Sequence, residues 1–281
     1  MKPISPVRPS PIAGTWYDSR PQRLAAEIDG YLDNAVLPAL DGDVVAVIAP
    51  HAGYRYSGAV AGHAFAAVRG MDFDLVAVLS PLHAYHPAPF ITSSHAAYQT
   101  PLGRVVIDRK LVSELNRALI DELGVGLETV AHDGEHSLEI ELPFLQRTLS
   151  SDFSLLPIMI RSIDAGELEA LGKALAQLLR GRNALIVAST DLSHFYRQNE
   201  ANMLDGEMLR QIAAFSPEGV LRAEETGKGF ACGRGAVAAT LFAARELGAD
   251  NAKVVNYATS GDVTGDFSSV VGYGAAVVYK I

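Results

Sequence analysis

The sequence predicts an α/β protein with a single domain, in which a central, mostly parallel or mixed sheet carries helices on both faces. Short apolar, β-branched runs alternate along the chain with longer amphipathic stretches, as in βαβ units. The chain has 281 residues, 49% of them hydrophobic, which is enough to bury a large core. No repeat or low-complexity linker divides the chain, so we predict one domain over residues 1–281.

The first half of the chain begins with a proline-dense segment, residues 1–12, which predicts an extended N-terminal arm. Trp16 and Tyr17 follow and are expected to pack into the domain surface. The first predicted helix, 21–34, has its apolar residues on one face. The further predicted elements are strand 44–49, helix 57–68, strand 74–80, an irregular segment 81–101, an extended segment 104–107 and a helix that begins at 109 after Asp108 as N-cap.

The second half continues the alternation of helices and strands. Asp164 and Glu167 form a start like a capping box for one helix, and Ser216 before Pro217 marks the start of another. The predicted elements are helix 137–149, strand 153–160, helix 165–179, strand 184–190, helices 199–214, 217–225 and 234–247, strand 253–258, a surface loop 261–266 and strand 269–279.

Composition limits the partners and the compartment. The formal net charge of −9 opposes binding to a nucleic-acid backbone, which needs clustered Lys and Arg. A single cysteine, Cys232, rules out an intramolecular disulfide, and the N-terminus lacks the apolar core of a signal peptide. No apolar run reaches the roughly 18 residues that span a bilayer. We therefore expect a cytoplasmic protein that binds neither nucleic acid nor membrane, with an apolar content compatible with a homodimer.

Three predicted strands lead directly into histidines. His51 follows strand 44–49, His83 follows strand 74–80, and Asp191 and His194 follow strand 184–190. Because the carboxyl ends of parallel strands meet at one edge of a sheet, these side chains are expected to converge on one crevice. His51 and His83 are expected to lie on adjacent strands.

A pair of imidazoles at one edge predicts a transition-metal site with a third protein ligand. The residues alone leave that ligand open among Asp191, His194, Glu135, His136 and Cys232. Cys232 lies in a glycine-rich turn before a helix, where backbone N–H groups and Arg234 are expected to lower its pKa. The alternative for a lone cysteine is a small buried apolar residue.

The remaining polar candidates have both structural and functional interpretations. His194 suits a general base near neutral pH. The alternative is that Asp191 caps the segment that follows it and that His194 is a surface residue. Glu135 and His136 are candidates to support a ligand or contact a substrate, whereas capping explains Glu139 and Glu141. The other histidines are interpreted as structural or surface residues: His63, His86, His95 and His132.

Taken in order, several short motifs resemble those of the Memo family. They are Pro11–Tyr17, Ala49–Tyr54, Leu79–His83, Glu135–Glu139, Ser189–His194 and Cys232–Arg234. The resemblance covers nearly the whole chain and implies a fold similar to the catalytic subunits of class III extradiol dioxygenases.

The resemblance also implies roles for individual residues. His51 and His83 match the two metal-binding histidines, and Cys232 falls where the family has a thiolate as third ligand. His194 matches a histidine that acts as acid or base, with Asp191 as its acidic neighbour. The residues predicted to bind the substrate are Tyr54, Glu135, His136 and Arg234.

Two main functions remain open at this stage. The first is metal-dependent redox chemistry, dioxygenase-like in its ligand set, on a small molecule; replacing a carboxylate by a thiolate favours Fe(II) or copper. The second is a binding module that uses a vestigial pocket to recognise a peptide or protein. Zinc-assisted hydrolysis is a third possibility, because zinc also accepts His and Cys ligands.

Overall fold

A computed structural model describes residues 5–131 and 133–281 of the chain. Its strands are β1 (Val7–Arg8), β2 (Asp43–Ala49), β3 (Leu75–Pro81), β4 (Phe90–Ser93), β5 (Ala97–Thr100), β6 (Gly103–Val106), β7 (Leu127–Val130), β8 (Ser154–Ile160), β9 (Ala184–Ser189), β10 (His194–Tyr196), β11 (Asn251–Thr259) and β12 (Val270–Lys280). Its helices are α1 (Pro21–Asp33), α2 (Tyr54–Ala66), α3 (Arg109–Leu123), α4 (Glu141–Thr148), α5 (Ala165–Leu179), α6 (Gln198–Ala213), α7 (Pro217–Glu225), α8 (Arg234–Glu246) and α9 (Ser260–Thr264).

The main sheet is mixed, with four parallel strands at its centre. Its order is β10-β12-β2-β9-β3-β8-β4-β7, and β11 pairs with β12. Strands β2, β9, β3 and β8 are parallel, whereas β12 is antiparallel to β2 and β4 is antiparallel to β8. Because β9 lies between β2 and β3, the expectation that His51 and His83 follow adjacent strands was wrong. Strand β9, which Asp191 follows, lies between the two strands that these histidines follow.

Helices cover both faces of this sheet, so the predicted fold class is confirmed. All seven residues of β3 are buried. Because successive side chains of a strand point to opposite faces, both faces of the sheet are covered at β3. Helix α8 packs on β2, β9, β3 and β8, with α5 against it, while α1, α2 and α4 form a second group beside β2, β11 and β12. One hydrophobic cluster extends from Ile12 to Val278. None of the helices in the described residues combines the length and the apolar character that a bilayer-spanning helix needs.

Most predicted elements agree with the structure within a few residues. Asp108, Asp164 and Ser216 accept backbone hydrogen bonds at the starts of α3, α5 and α7, as their sequence positions predicted. The segment 81–101 is not irregular throughout, because it contains β4 and β5; strands of four residues are too short to show a clear alternation. The short strands β7 and β10 were also missed, and the loop expected at 261–266 is partly the helix α9.

Two helix starts were predicted wrongly. Helix α2 begins at Tyr54, not at 57, because the Tyr54 N–H donates to the Trp16 carbonyl at 2.9 Å and no side-chain cap is needed. Helix α4 begins at Glu141, and residues 137–140 before it form turns. The expected capping by Glu139 and Glu141 was wrong, because both side chains are buried in other contacts.

The described part of the N-terminal arm is extended, and the expectation for residues 1–4 lies outside the described residues. Strand β1 pairs with β5 in a small sheet with β6. Arg8 is 2% exposed and binds Asp133 at 2.7 Å and Glu139 at 2.5 Å, and its guanidinium also donates to the Glu135 carbonyl at 2.6 Å. Tyr17 adds a hydrogen bond to Glu139 at 2.7 Å. The arm therefore supports the loop that carries Glu135.

We expect Arg8→Ala to lower the free energy of unfolding by about 3–5 kcal/mol, because it leaves the buried carboxylate of Glu139 and the partly buried carboxylate of Asp133 without their cation. Urea denaturation measures the loss. Arg20→Ala is the matched control, since Arg20 pairs with Asp18 at the surface and should have a much smaller effect. Equal effects of the two substitutions would contradict the proposed support by the arm.

Candidate metal centre

The carboxyl ends of three central strands deliver the candidate site residues to one place. His51 follows β2, Asp191 follows β9, and His83 follows β3. The Asp191 carboxylate accepts a hydrogen bond from the His51 backbone N–H at 2.7 Å, which ties the ends of β2 and β9 together. The predicted convergence of strand ends therefore forms a real crevice.

Three imidazoles meet in this crevice: His51, His83 and His136. One ring nitrogen from each lies within 4.8 Å of the others, so the group could hold a metal ion. The His51 ring is nearly perpendicular to the ring of His83, at 82°, with centroids 5.3 Å apart. The rings of His83 and His136 are stacked instead, at 11° and 4.8 Å. His136 was one of the five residues left open as third ligand, and was otherwise predicted as a supporting or substrate-contact residue.

The buried carboxylate of Glu135 orients the His83 ring. It accepts from the His83 Nδ1 at 2.9 Å and from the His83 backbone N–H at 2.6 Å. Backbone N–H groups of His136 and Ser137 donate to the same carboxylate at 2.9 and 3.0 Å. Burial would raise the pKa of Glu135, but the His83 contact and these donors lower it well below its usual range. A carboxylate on Nδ1 leaves Nε2 of His83 free for a metal.

Ser189 orients the His51 ring in the same way. The Ser189 hydroxyl lies 2.9 Å from the His51 Nδ1 and 2.6 Å from the carbonyl oxygen of Ser137. His51 is buried, and burial together with the neighbouring His136 and His83 lowers its pKa well below 6.5, so the ring is neutral. Its other nitrogen, Nε2, faces Cys232.

The Cys232 sulfur lies 3.2 Å from the His51 Nε2. It also accepts from the Asp191 backbone N–H at 3.3 Å. Gly233 permits this approach, since a Cβ there would lie 2.3 Å from the Ser189 carbonyl oxygen. The expected low pKa of Cys232 was wrong: burial and the Asp191 charge raise it, and Arg234 is paired with Glu224 instead. A bound metal ion would replace the thiol proton.

Asp191 and His194 lie beside the imidazoles on one cavity wall. Burial raises the pKa of Asp191 to about 7, although backbone N–H donors from His51 and Ala52 oppose the shift. The His194 Nδ1 donates to the Leu192 carbonyl at 2.8 Å, which leaves Nε2 as the unprotonated nitrogen of the neutral ring. Burial lowers the pKa of His194, so this nitrogen can accept a proton at neutral pH.

A cavity of about 430 Å³ opens over these groups. Aromatic rings supply much of its remaining wall, with Trp16, Tyr56 and Tyr273 as the large side chains. Trp16 also lies against the His136 ring, with centroids 4.1 Å apart. The cavity can therefore hold a small, partly apolar molecule next to the imidazoles.

Other predicted site residues lie away from this cavity. Tyr54 is buried, and its hydroxyl donates to the Ile140 carbonyl at 2.7 Å. Arg234 and Cys232 line a second cavity of about 360 Å³, which shares His83 with the first. His95 is buried, in agreement with a structural role, whereas the prediction for His132 falls outside the described residues.

Sequence reasoning missed the contributions of Trp16, Ser189 and Glu141. Each contact joins residues far apart in the chain: Glu141 lies 48 residues before Ser189. Trp16 lies in the segment after the arm, which was expected only to pack at the surface. The single available signal was Ser189 at the end of its strand, two residues before Asp191.

The fold and the crevice define an α/β protein with a histidine-rich candidate metal centre. A family model described as Memo-like protein matches residues 8–277. A MEMO1 family protein of Methanothermobacter thermautotrophicus is 37% identical over 95% of this chain and 98% of the relative. Another, from Methanococcoides burtonii, is 36% identical over 97% of this chain and 100% of the relative. The chain therefore belongs to the Memo family, as its motifs predicted.

A solved structure of an uncharacterized protein from Escherichia coli K12 shares 10% sequence identity with this chain. The match covers 83% of this chain and 99% of that chain, with a TM-score of 0.49. A similarity this low carries no functional argument.

Asp205 on α6 generates a prediction about the His194 loop. Its buried carboxylate accepts from the Ser193 N–H at 2.8 Å and the Tyr257 hydroxyl at 2.7 Å, and burial raises its pKa. The unfolded chain ionises this group near pH 4, before the folded chain does, so its contribution to stability falls as pH rises above that value.

Asp205→Asn keeps the acceptor for Ser193 but cannot ionise. We expect the variant to lose part of the decline in unfolding free energy between pH 4 and pH 7, as measured by urea denaturation in the presence of a chelator. Asp250→Asn, at an exposed position, is the control and should keep the wild-type slope. Parallel curves for wild type and Asp205→Asn would refute the shift.

Proposed function

We propose that this crevice binds a transition-metal ion and that the protein carries out metal-dependent redox chemistry on a small molecule. The observation that carries the proposal is the convergence of three imidazoles within 4.8 Å, two of them oriented through Nδ1 by Glu135 and Ser189. Partners of this kind fix the ring orientation and select, in the neutral ring, the tautomer whose Nε2 carries no proton. The donor set of imidazoles and a nearby thiol fits Fe(II), copper or zinc.

We propose His51, His83 and Cys232 as the three ligands. The Cys232 sulfur is 3.2 Å from the His51 Nε2, a separation compatible with two ligands of one ion. The rings of His83 and His136 are stacked, with planes only 11° from parallel, an arrangement that favours packing between them over joint binding of one ion. His136 then packs against His83 and Trp16 as part of the cavity wall.

The bound ion would supply electron exchange and an open coordination position for a substrate. The residues of the chain have separate tasks. Trp16 and Tyr273 bind the apolar part of the molecule, and His194 accepts or returns a proton at Nε2. Asp191 holds the His51 backbone, and thereby the relative position of the two strand ends.

Metal content tests the ligand set. After anaerobic reconstitution with Fe(II) or Cu(I) and desalting, we expect wild type to keep about one ion per chain by elemental analysis. His51→Ala, His83→Ala and Cys232→Ser should lose it, whereas His136→Ala should retain it.

His86→Ala is the matched control, because His86 lies three residues after His83 and outside the crevice. Retention by Cys232→Ser together with loss in His136→Ala would replace Cys232 by His136 as third ligand. A wild-type protein without iron or copper would contradict the redox proposal, and exclusive retention of zinc would favour hydrolysis instead.

A second candidate function is recognition of a peptide or protein segment by the same cavity. The observation that favours it is the open aromatic wall, since Tyr56 is 38% exposed and the His83 side chain 40% exposed. Aromatic side chains at a cavity mouth are typical of recognition surfaces.

Binding of an aromatic-rich peptide library to wild type and to the triple variant His51→Ala, His83→Ala, Cys232→Ala distinguishes the two functions. Under the recognition function we expect the same selected peptides with both proteins, and their loss with Trp16→Ala. Under the redox function no peptide should be selected in a Trp16-dependent manner.

A further inference from the structure

The Ser189 hydroxyl lies among three polar partners at the end of β9. They are the His51 Nδ1 at 2.9 Å, the Ser137 carbonyl oxygen at 2.6 Å and the Glu141 Oε1 at 2.6 Å. Serine and its partners are all buried. His51 and Ser189 have roles in the proposed metal site, whereas Glu141 has none so far.

Counting protons constrains this group. A hydroxyl has one proton and can accept two further hydrogen bonds, whereas a carbonyl oxygen only accepts. If the Ser189 proton goes to the Ser137 carbonyl, an ionised Glu141 would place an oxygen 2.6 Å from Ser189 with no proton between them. A protonated Glu141 removes the conflict, because its O–H donates to Ser189. The His51 Nδ1–H then donates to the second lone pair of the Ser189 hydroxyl oxygen.

The surroundings of Glu141 agree with this count. It is the first residue of α4 and is 1% exposed. None of the ion pairs in the described residues includes Glu141, and burial raises its pKa well above the usual range. An unpaired buried carboxylate is far more costly than the neutral acid, so the uncharged form is favoured.

We propose that Glu141 is a positioning residue: as a neutral carboxylic acid it donates to Ser189, which in turn holds His51 as the Nδ1–H tautomer with a bare Nε2 toward the crevice. Within the described residues, Glu141 makes no hydrogen bond or ion pair to a proposed ligand and does not line the cavity, so it acts through Ser189. The opposite tautomer would place a proton on Nε2 and block the lone pair that a metal needs. This inference builds on the proposed metal site for its consequence, but the hydrogen-bond relay is testable without metal.

The first test uses metal-free protein. Infrared difference spectroscopy between wild type and Glu141→Gln should reveal the carbonyl band of a protonated carboxylic acid at neutral pH. Long-range proton–nitrogen correlation spectra, with His51 assigned from a His51→Gln variant, should show Nδ1 protonated in wild type and in Glu141→Gln. The glutamine amide can donate to Ser189 as the acid does.

Ser189→Ala removes the acceptor and should shift His51 toward the Nε2–H form. Thr148→Val is the control, because Thr148 is a buried polar residue on the same helix as Glu141 and its hydroxyl has no hydrogen-bond partner among the described residues. It should leave the His51 tautomer unchanged. Circular dichroism checks that each variant folds. If Ser189→Ala does not fold, the infrared band and the Glu141→Gln variant still test the inference.

The second test measures Co(II) affinity by competition with a chelator. We expect Ser189→Ala to bind roughly 10- to 100-fold more weakly and Glu141→Gln to bind like wild type, as for other partners of ligating histidines. An absent carboxylic acid band, or a His51 protonated at Nε2 in wild type, would overturn the inference. If wild type binds no metal but the band and the tautomer are found, only the proposed function fails.

Discussion

The candidate site depends on one buried carboxylate, that of Glu135. It accepts hydrogen bonds from the His83 Nδ1 and from the backbone N–H groups of His83, His136 and Ser137. These hydrogen bonds join the end of β3 to the loop before α4, two segments that share no sheet ladder. Because a carboxylate only accepts, each of these groups must turn its N–H toward it. That requirement leaves the His83 Nε2 facing the crevice.

The N-terminal arm holds this loop from the other side. Arg8 donates to the Glu135 carbonyl and is paired with Asp133 and Glu139, so one buried cation crosslinks residues 133–139. Desolvation offsets much of the attraction in the intact pairs, whereas removal of Arg8 would leave the carboxylates without their cation. Trp16, from the segment that follows the arm, completes the contact by packing on His136.

The sequence predicted the parts of the site that depend on parallel strands. His51, His83 and Asp191 each follow a buried apolar run, and the shared direction of such strands brings their ends together. Strand order was beyond the sequence, because nothing local indicates that β9 lies between β2 and β3. The fold class was predicted from the alternation of apolar runs and amphipathic stretches. Most helix starts were predicted because caps such as Asp108 and Ser216 are local signals.

The errors have a common cause in burial. The Cys232 turn has the sequence of an activated thiol, yet its pKa is raised because desolvation exceeds the effect of the backbone N–H groups. Glu139 and Glu141 have the sequence positions of capping residues but are buried against Arg8 and Ser189. Exposure of a polar side chain depends on contacts with distant segments, which periodicity and spacing do not encode.

We propose that two imidazoles with orienting partners on Nδ1 direct their Nε2 atoms at one ion. Anomalous diffraction from crystals soaked anaerobically with Fe(II) measures this most directly. We predict a single peak about 2.0–2.2 Å from the Nε2 atoms of His51 and His83. A peak bound through either Nδ1, or no peak in the crevice, would contradict it.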